Sequence, residues 1–337
     1  MTDIYPYNPR SVRKTHSALK EPELDGLLTS YFGIPTAVMS SARAGIYQII
    51  KQLGLVRTDH ILVPDFLCRS VLYILNLQGF GIQQADNRTK AIFALHQWGY
   101  PQRMDLIMPE AKKHGWSVIE DCVHSFGSTY QGKMIGTFGD AAIVSFPKMF
   151  PTYTGGAVLS KRQDIIDSIR NLRLEPRSFW HRLFDWFSTY ESRQKYLKRD
   201  KIFLSNAVYI KSIHFPRITK VATRRFPENI DELKSAVARR KEIFHALKKN
   251  LSKEYYPPEL DAESDVVPLC VPIFLPESKL LAAQEMLRAK NIQAEILHFD
   301  VNRNVLNPNY KKCLALPCHQ EVTDEELKSM CDVIARV

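Results

Sequence analysis

The stretch SVIEDCVHSFGSTYQGKMIGTFGDAAIVSFPKMFPTYTGGAV, Ser117 to Val158, decides how this chain is read. Two of its apolar runs, SVIED and DAAIVSF, have the length and β-branched content of buried strands, and GGAVLS starts a third. Polar chemistry crowds the ends of these runs. Asp121 closes the first, with His124 three residues on. Ser145 ends the second, Lys148 follows in SFPKMFPTYTGG, and Gly155-Gly156 open the next strand. Open α/β sheets place ligands beyond the carboxyl ends of their strands, so the crowding marks a site. Each residue also has a plain reading. Asp121 is then a turn or capping aspartate, His124 a satisfied structural histidine and Lys148 a solvated loop lysine.

Outward from this block the same texture continues. TAVMS reads as a short strand running into the helix SARAGIYQIIKQLG, where Ala42, Ile46, Ile49, Ile50 and Leu53 recur at helical spacing and Gly54 stops it. HILVP and KAIFALH are strands; RSVLYILNLQG, RMDLIMPEAKKHG and RQDIIDSIRNLR are helices. Alternating strands and helices predict an α/β domain with a mainly parallel sheet. At the first strand-to-helix junction, Ser40-Ser41-Ala42-Arg43 offers free backbone N–H groups, two hydroxyls and a guanidinium. That is an anion cradle, although serine N-caps open many helices that bind nothing.

From Ser178 to Phe226 the sequence turns aromatic and basic, with Trp180, Phe184, Trp186 and Phe187 close together. The bland reading is a helical excursion over the site or against a partner subunit; the other is a segment lying on a membrane surface. A second set of elements follows: the helix NIDELKSAVARRKEIFHALKKNL, the strand VVPLCVPIFL, the helix SKLLAAQEMLRAKN, the strand IQAEILH, and a last helix. That helix, TDEELKSMCDVIARV, opens with Thr323 as N-cap and Glu326 three residues on. The expected organisation is a large domain over 1–226, carrying the 178–226 excursion, and a smaller α+β domain over 227–337.

Composition narrows the function. With 46 Lys and Arg against 36 Asp and Glu, the net charge is +10, which suits an anionic substrate, a nucleic acid or an acidic membrane. The basic residues are scattered and accompany no nucleic-acid-binding signature, so nucleic acid is not expected. Six cysteines without a CxxC pair read as reduced thiols, and Cys313 to Cys318 lacks the second ligand pair of a zinc site. No apolar run reaches membrane-spanning length, and Met1 to Lys20 lacks an apolar centre, so a cytoplasmic protein is expected.

The order along the chain sharpens the site. Anion cradle, strand-end aspartate, serine, lysine and Gly-Gly supply what pyridoxal phosphate (PLP) needs: phosphate donors, an acid for the pyridine nitrogen and an amine for the aldehyde. A lysine in that role needs a constrained loop and partial desolvation.

The chain also resembles the DegT/StrS-type PLP-dependent sugar aminotransferases of fold type I. SSARAGIYQIIKQLGL is similar to the family's opening helix block, and DHILVPDFLCRSV to its second strand. The central block from Arg88 to Phe146 follows the family pattern almost position by position, and LALPCHQEVTDEELKSMCDVI resembles its closing segment. The resemblance implies that Asp121 pairs with the pyridine nitrogen, His124 contacts the ring oxygen and Ser145 binds phosphate. Ser41, Ala42 and Arg43 would form the phosphate turn, and Lys148 would be the Schiff-base lysine. Four departures stand out. Lys148 lies two residues after Phe146, in a shortened loop; Cys68 stands where an aromatic stacks on the ring; Arg43 replaces a threonine. The segment by which a neighbouring subunit reaches the cofactor has only Arg225 to Asn229, RFPEN, as its nearest counterpart.

The function these expectations imply is amino transfer from glutamate or a similar donor to an anionic, nucleotide-linked keto-sugar, by a homodimer with interfacial sites. A PLP-dependent sugar dehydratase is the second reading, and Lys148 argues against it, since the family's dehydratases carry histidine there. A noncatalytic sensor or assembly protein on the same fold is the third. Membrane-surface contact through 180–187 is a lesser variant of the first.

Overall fold

The computed structural model describes residues 19–152, 154–172, 179, 183, 186 and 226–337. Its main sheet has seven strands: β1 (Thr36–Met39), β2 (His60–Leu62), β3 (Phe80–Ile82), β4 (Thr89–Leu95), β5 (Ser117–Asp121), β8 (Ala141–Ser145) and β9 (Gly156–Leu159). The intervening β6 (Thr129–Tyr130) and β7 (Lys133–Met134) form a hairpin outside it. The order is β1-β9-β8-β5-β4-β2-β3, with β9 antiparallel to both neighbours and the other pairs parallel. Because β9 alone is reversed, β1, β8, β5, β4 and β2 all end on one edge, and β9 begins there.

The strands read as near-continuous apolar runs because both faces are covered. On one face lie α1 (Glu21–Phe32) and α4 (Met104–His114), contributing Leu24, Leu28, Phe32, Ile107 and Ala111 to a core. On the other, α2 (Ala42–Gln52) and α5 (Gln163–Leu172) bury Ile46, Ile49, Ile50, Ile165, Ile166 and Ile169. Gly115 closes α4 in the left-handed region at φ 67°, as a helix-stopping glycine should. The short α3 (Arg69–Leu75) completes this half.

The chain's second half builds a three-stranded antiparallel sheet in the order β11-β13-β12. Its strands are β11 (Cys270–Ile273), β12 (Glu295–Asp300) and β13 (Tyr310–Pro317). Pro272 cannot donate to a ladder, and β11 is an edge strand. Here α7 (Glu277–Ala289) and α8 (Asp324–Arg336) supply Leu280, Leu287, Met330 and Ile334 to a separate core. Thr323 caps α8 by accepting from Glu326 N while Glu326 accepts from Thr323 N, the predicted capping box. The short β10 (Ser264–Asp265) pairs back onto β6.

Between the halves runs α6 (Ile230–Lys249), capped by Asn229. Leu233 and Val237 belong to the first core, whereas Ile243, Phe244 and Leu247 belong to the third. One helix thus serves two cores. The α/β class with a mainly parallel sheet agrees with the sequence reading. Six elements had no counterpart there: α1, β3, the short β6, β7 and β10, and β13. The predicted strand over 292–298 starts later, at Glu295. Most of the aromatic segment 178–226, including Trp180, Phe184 and Phe187, lies outside the described residues. Phe226 is buried, its ring 4.4 Å from Phe146 and 4.8 Å from Phe150, beneath the lysine turn. Among the described residues no helix is long and apolar enough to cross a membrane.

Candidate active site

The reversed strand creates the first half of the site. Gly155 N donates to Ser40 O at 2.9 Å, Ser41 bridges Gly155, and Ser145 pairs with Gly156 across the β8–β9 ladder. Three segments distant in sequence therefore meet at one sheet edge: the Ser40–Arg43 junction, Ser145 and the Gly-Gly pair. Gly155 sits at φ 108°, open only to glycine without strain. A Cβ on Gly156 would stand 2.5 Å from Val144 O and 2.7 Å from Ala42 N, so β9 can start against the amino end of α2 only without a side chain. Ser41 is the N-cap of α2, its Oγ accepting from Ala44 N at 3.2 Å. The Ser40 hydroxyl is buried and has no hydrogen-bond partner among the described residues. Arg43 is half-buried on the first turn.

The second half lies at the ends of β5 and β8. The carboxylate of Asp121, a residue 1% exposed, accepts one hydrogen bond among the described residues, from Val123 N at 3.0 Å. Burial pushes its pKa up to about 7, against that bond and the Lys148 charge, which pull it down. His124 is a half-buried ring whose Nδ1 is sealed from solvent and has no hydrogen-bond partner among the described residues. Burial, and then Lys148, lower its pKa to about 3, so the imidazole is neutral. Cys68 is the exposed N-cap residue of α3, its Sγ 3.2 Å from Ser70 Oγ. Burial raises the Cys68 pKa, and hydrogen bonds with Ser70 and Val71 plus the Lys148 charge more than offset this, leaving it below the ordinary thiol value. The Lys148 charge reaches Asp121, His124 and Cys68, and the buried Cys270 as well.

Lys148 itself ends a single 3-10 turn, Phe146–Lys148, with Ser145 in the N-cap position. Phe146 N donates to Gly155 O at 3.1 Å, and Phe150 N to Phe146 O at 2.7 Å. The shortened loop is thus a closed, tied turn. All eight predicted site residues (Ser41, Ala42, Arg43, Cys68, Asp121, His124, Ser145 and Lys148) lie around the strand ends of one sheet edge.

Sequence reading missed two groups behind this edge. Glu120, fully buried, accepts from Gly136, Phe138 and Gly139 N at 2.8 Å each and pairs with His96 Nε2 at 3.2 Å. Gln102 N donates to His96 Nδ1, so Nε2 carries the proton and donates to Glu120. Although Cys122 Sγ is close enough to make a three-ligand set with them, the Glu120 oxygens already serve four donors. The second missed group is Arg240. Its guanidinium reaches the lysine turn from α6.

An orphaned Nδ1 on His124, an under-bonded Asp121, a glycine-tight anion turn and an amine among them fit pyridoxal phosphate in their donor chemistry. The fold is that of aminotransferases of known structure. It is similar to the aminotransferase TlmJ from Streptoalloteichus hindustanus, with TM-score 0.75 at 15% identity, covering 99% of this chain and 98% of that one. It is likewise similar to PseC of Helicobacter pylori, an aminotransferase involved in pseudoaminic acid biosynthesis, with TM-score 0.72 at 15% identity over 99% of each chain.

The chain belongs to the DegT/DnrJ/EryC1/StrS aminotransferase family, whose model matches residues 82–335. Among curated relatives, GDP-perosamine synthase of Escherichia coli O157:H7 is 38% identical over 105 residues, 29% of each chain. A UDP-N-acetyl-3-dehydro-alpha-D-glucosamine 3-aminotransferase of Acidithiobacillus ferrooxidans is 31% identical over 177 residues, 45% of this chain and 46% of that one. The chain thus matches less than half the length of these relatives.

Proposed function

We propose that this protein is a PLP-dependent aminotransferase that moves an amino group from glutamate or a similar donor to the keto group of a nucleotide-linked sugar. The observation that carries the reading is the meeting, at one edge of the sheet, of Asp121 at the end of β5, Ser145 and the Lys148 turn at the end of β8, and the glycine-tight Ser40–Arg43 junction. The names of the curated relatives support the sugar substrate, and the net charge of +10 suits an anionic one.

When bound, the cofactor supplies an electrophilic aldehyde and a ring that accepts electrons from the bond broken at the donor's α-carbon. Lys148 would be the amine for that aldehyde and the base that takes and returns the α-proton at Nζ. Asp121 holds a proton on the pyridine nitrogen; a cation there lets the buried carboxylate stay ionised. Neutral His124 offers Nδ1 to the ring oxygen. Ser41, Ala42, Arg43 and Ser145 hold the phosphate with backbone N–H groups, hydroxyls and a guanidinium. Cys68 would offer the ring a slimmer contact than an aromatic. Residues 1–226 form the cofactor domain and 227–337 the smaller one, in a cytoplasmic homodimer with sites at the interface.

The test is an absorbance scan of protein mixed with PLP, repeated for Lys148→Ala and followed by borohydride and mass spectrometry. A cofactor band that Lys148→Ala loses, with reduced cofactor trapped on Lys148, is expected. No band in the wild type sinks the enzyme reading in favour of the noncatalytic one. Adding glutamate must release 2-oxoglutarate; a bound cofactor that never does so points to the dehydratase chemistry.

A further inference from the structure

Arg240 is one of the largest fully buried side chains, 1% exposed, and among the described residues no carboxylate pairs with it. Four oxygens surround its guanidinium instead. Nε donates to Gln320 Oε1 at 2.9 Å and Nη1 to Pro268 O at 3.2 Å, while Nη2 reaches Lys148 O at 3.2 Å and Met149 O at 3.4 Å. Gln320 closes the ring by donating its own Nε2 to Met149 O at 2.9 Å. Glu321 acts on this cation only from a distance, so dipoles carry most of the compensation, and a buried apolar side chain of similar size is commonly at least as stable. Burial lowers the Arg240 pKa to about 10, which still leaves it charged at neutral pH.

The position of this guanidinium gives the cost a purpose. Lys148 ends a 3-10 turn, and the last carbonyls of such a turn have no partner within it. Arginine near a helical carboxyl end can take up these groups. Arg240 also lies on α6 between Val237, which packs in the sheet's first core, and Ile243, which packs in the third. Its own carbonyl is gripped by Cys318 Sγ at 3.7 Å. Two parts of the second half therefore converge on two backbone oxygens of the lysine turn, α6 through Arg240 and the Cys318–Gln320 turn through Gln320, while Pro268 O holds the guanidinium in place.

We propose that Arg240 is a positioning residue for Lys148: from the smaller half of the molecule it fixes the shortened turn, and so the place of the amine relative to Asp121 and His124. The inference deepens the aminotransferase reading and rests on it for the role of Lys148. It also explains how a turn with only Pro147 between Phe146 and Lys148 holds its amine in the site. The loop's missing length is replaced by a clamp from outside it.

Two variants test this. Arg240→Lys keeps the charge and loses the planar fork that spans two carbonyls; Gln320→Ala removes the second hold on Met149 and the acceptor of Arg240 Nε, and leaves the acceptors of Nη1 and Nη2 in place. The first readout is the pH profile of Lys148 acetylation by acetic anhydride in cofactor-free protein, followed by mass spectrometry. The second is the split between kcat and the donor KM in the loaded enzyme, with thermal unfolding as the check on folding. Arg240→Lys is expected to displace the labelling midpoint and lower kcat by about tenfold to a hundredfold while KM stays within about twofold. Gln320→Ala is expected to move both readouts in the same sense and less. Folded variants with the wild-type labelling profile and kcat overturn the proposal; if Arg240→Lys fails to fold, Gln320→Ala decides by the same criterion. Wild-type protein that takes up no PLP overturns the aminotransferase reading instead. The labelling profile, read without cofactor, judges Arg240 separately.

Discussion

Glu120 and Asp121 are neighbours in one strand, equally buried, and their carboxyl groups are shifted in opposite directions. Alternation along β5 sends them to opposite faces of the sheet. On its face Glu120 meets three backbone N–H groups and His96, which outweigh burial and hold its pKa below the ordinary carboxylate value. Across the sheet Asp121 meets one N–H group, and burial wins. The difference separates a finished anion from an unfinished one. A carboxylate with all its donors in place stabilises the fold. One left short of donors in a dry pocket keeps its proton to higher pH, and under the proposed function the cofactor's protonated ring would restore its charge.

The comparison can be broken hardest at Glu120. Glu120→Gln puts an amide N–H among three backbone N–H donors and leaves His96 facing a neutral group. The expected loss is about 3–5 kcal/mol, read from urea unfolding. Asp121→Asn should do the reverse. Its cofactor-free stability should match or exceed the wild type, while kcat falls on the order of a hundredfold or more for want of a charge opposite the pyridine nitrogen.

Acidity sharpens the same contrast. The folded Asp121 pKa of about 7 stands above its unfolded value of 3.8, so the native state binds more protons and stability falls as pH rises through that window. For His124 the folded value of about 3 stands below 6.5, so stability falls as pH drops through its window. The two slopes oppose each other where the windows overlap. Thermal midpoints of cofactor-free Asp121→Asn should therefore fall on acidification, and those of His124→Gln should fall on the way to neutral pH. Flat profiles in both variants would contradict the environments described. The smallest effect belongs to Ser41→Ala, which removes the cap on Ala44 N and should cost about 1 kcal/mol in urea unfolding.

What the sequence made legible follows from how local each signal is. Six strands of the main sheet announced themselves as apolar runs bounded by turn residues, because both of their faces are covered. Asp121, Ser145 and Lys148 were legible as site residues because they close or follow such runs. The edge strand Phe80–Ile82 was not, being three residues long and presenting an exposed Phe80. Nor was α1, whose stripe of Leu24, Leu28 and Phe32 at helical spacing is obscured by Pro22 and Gly26 in the same short run. Glu120 and Arg240 escaped for a different reason. The donors of Glu120 lie 16 to 19 residues on and at His96, and the acceptors of Arg240 lie 28 to 92 residues away. No window of sequence contains such a pair.

The shared helix α6 has a consequence for anyone recombining this chain with a relative. Its amino half is rooted in one core and its carboxyl half in the other, so no cut along it separates two self-sufficient pieces. A chimera joined after residue 249 inherits Ile243, Phe244 and Leu247 from one parent and the cavity they must fill from the other. A junction before Ile230 moves the mismatch to Leu233 and Val237 and brings a foreign Arg240 equivalent to the lysine turn. The two halves of the molecule are therefore exchanged as a matched set or not at all.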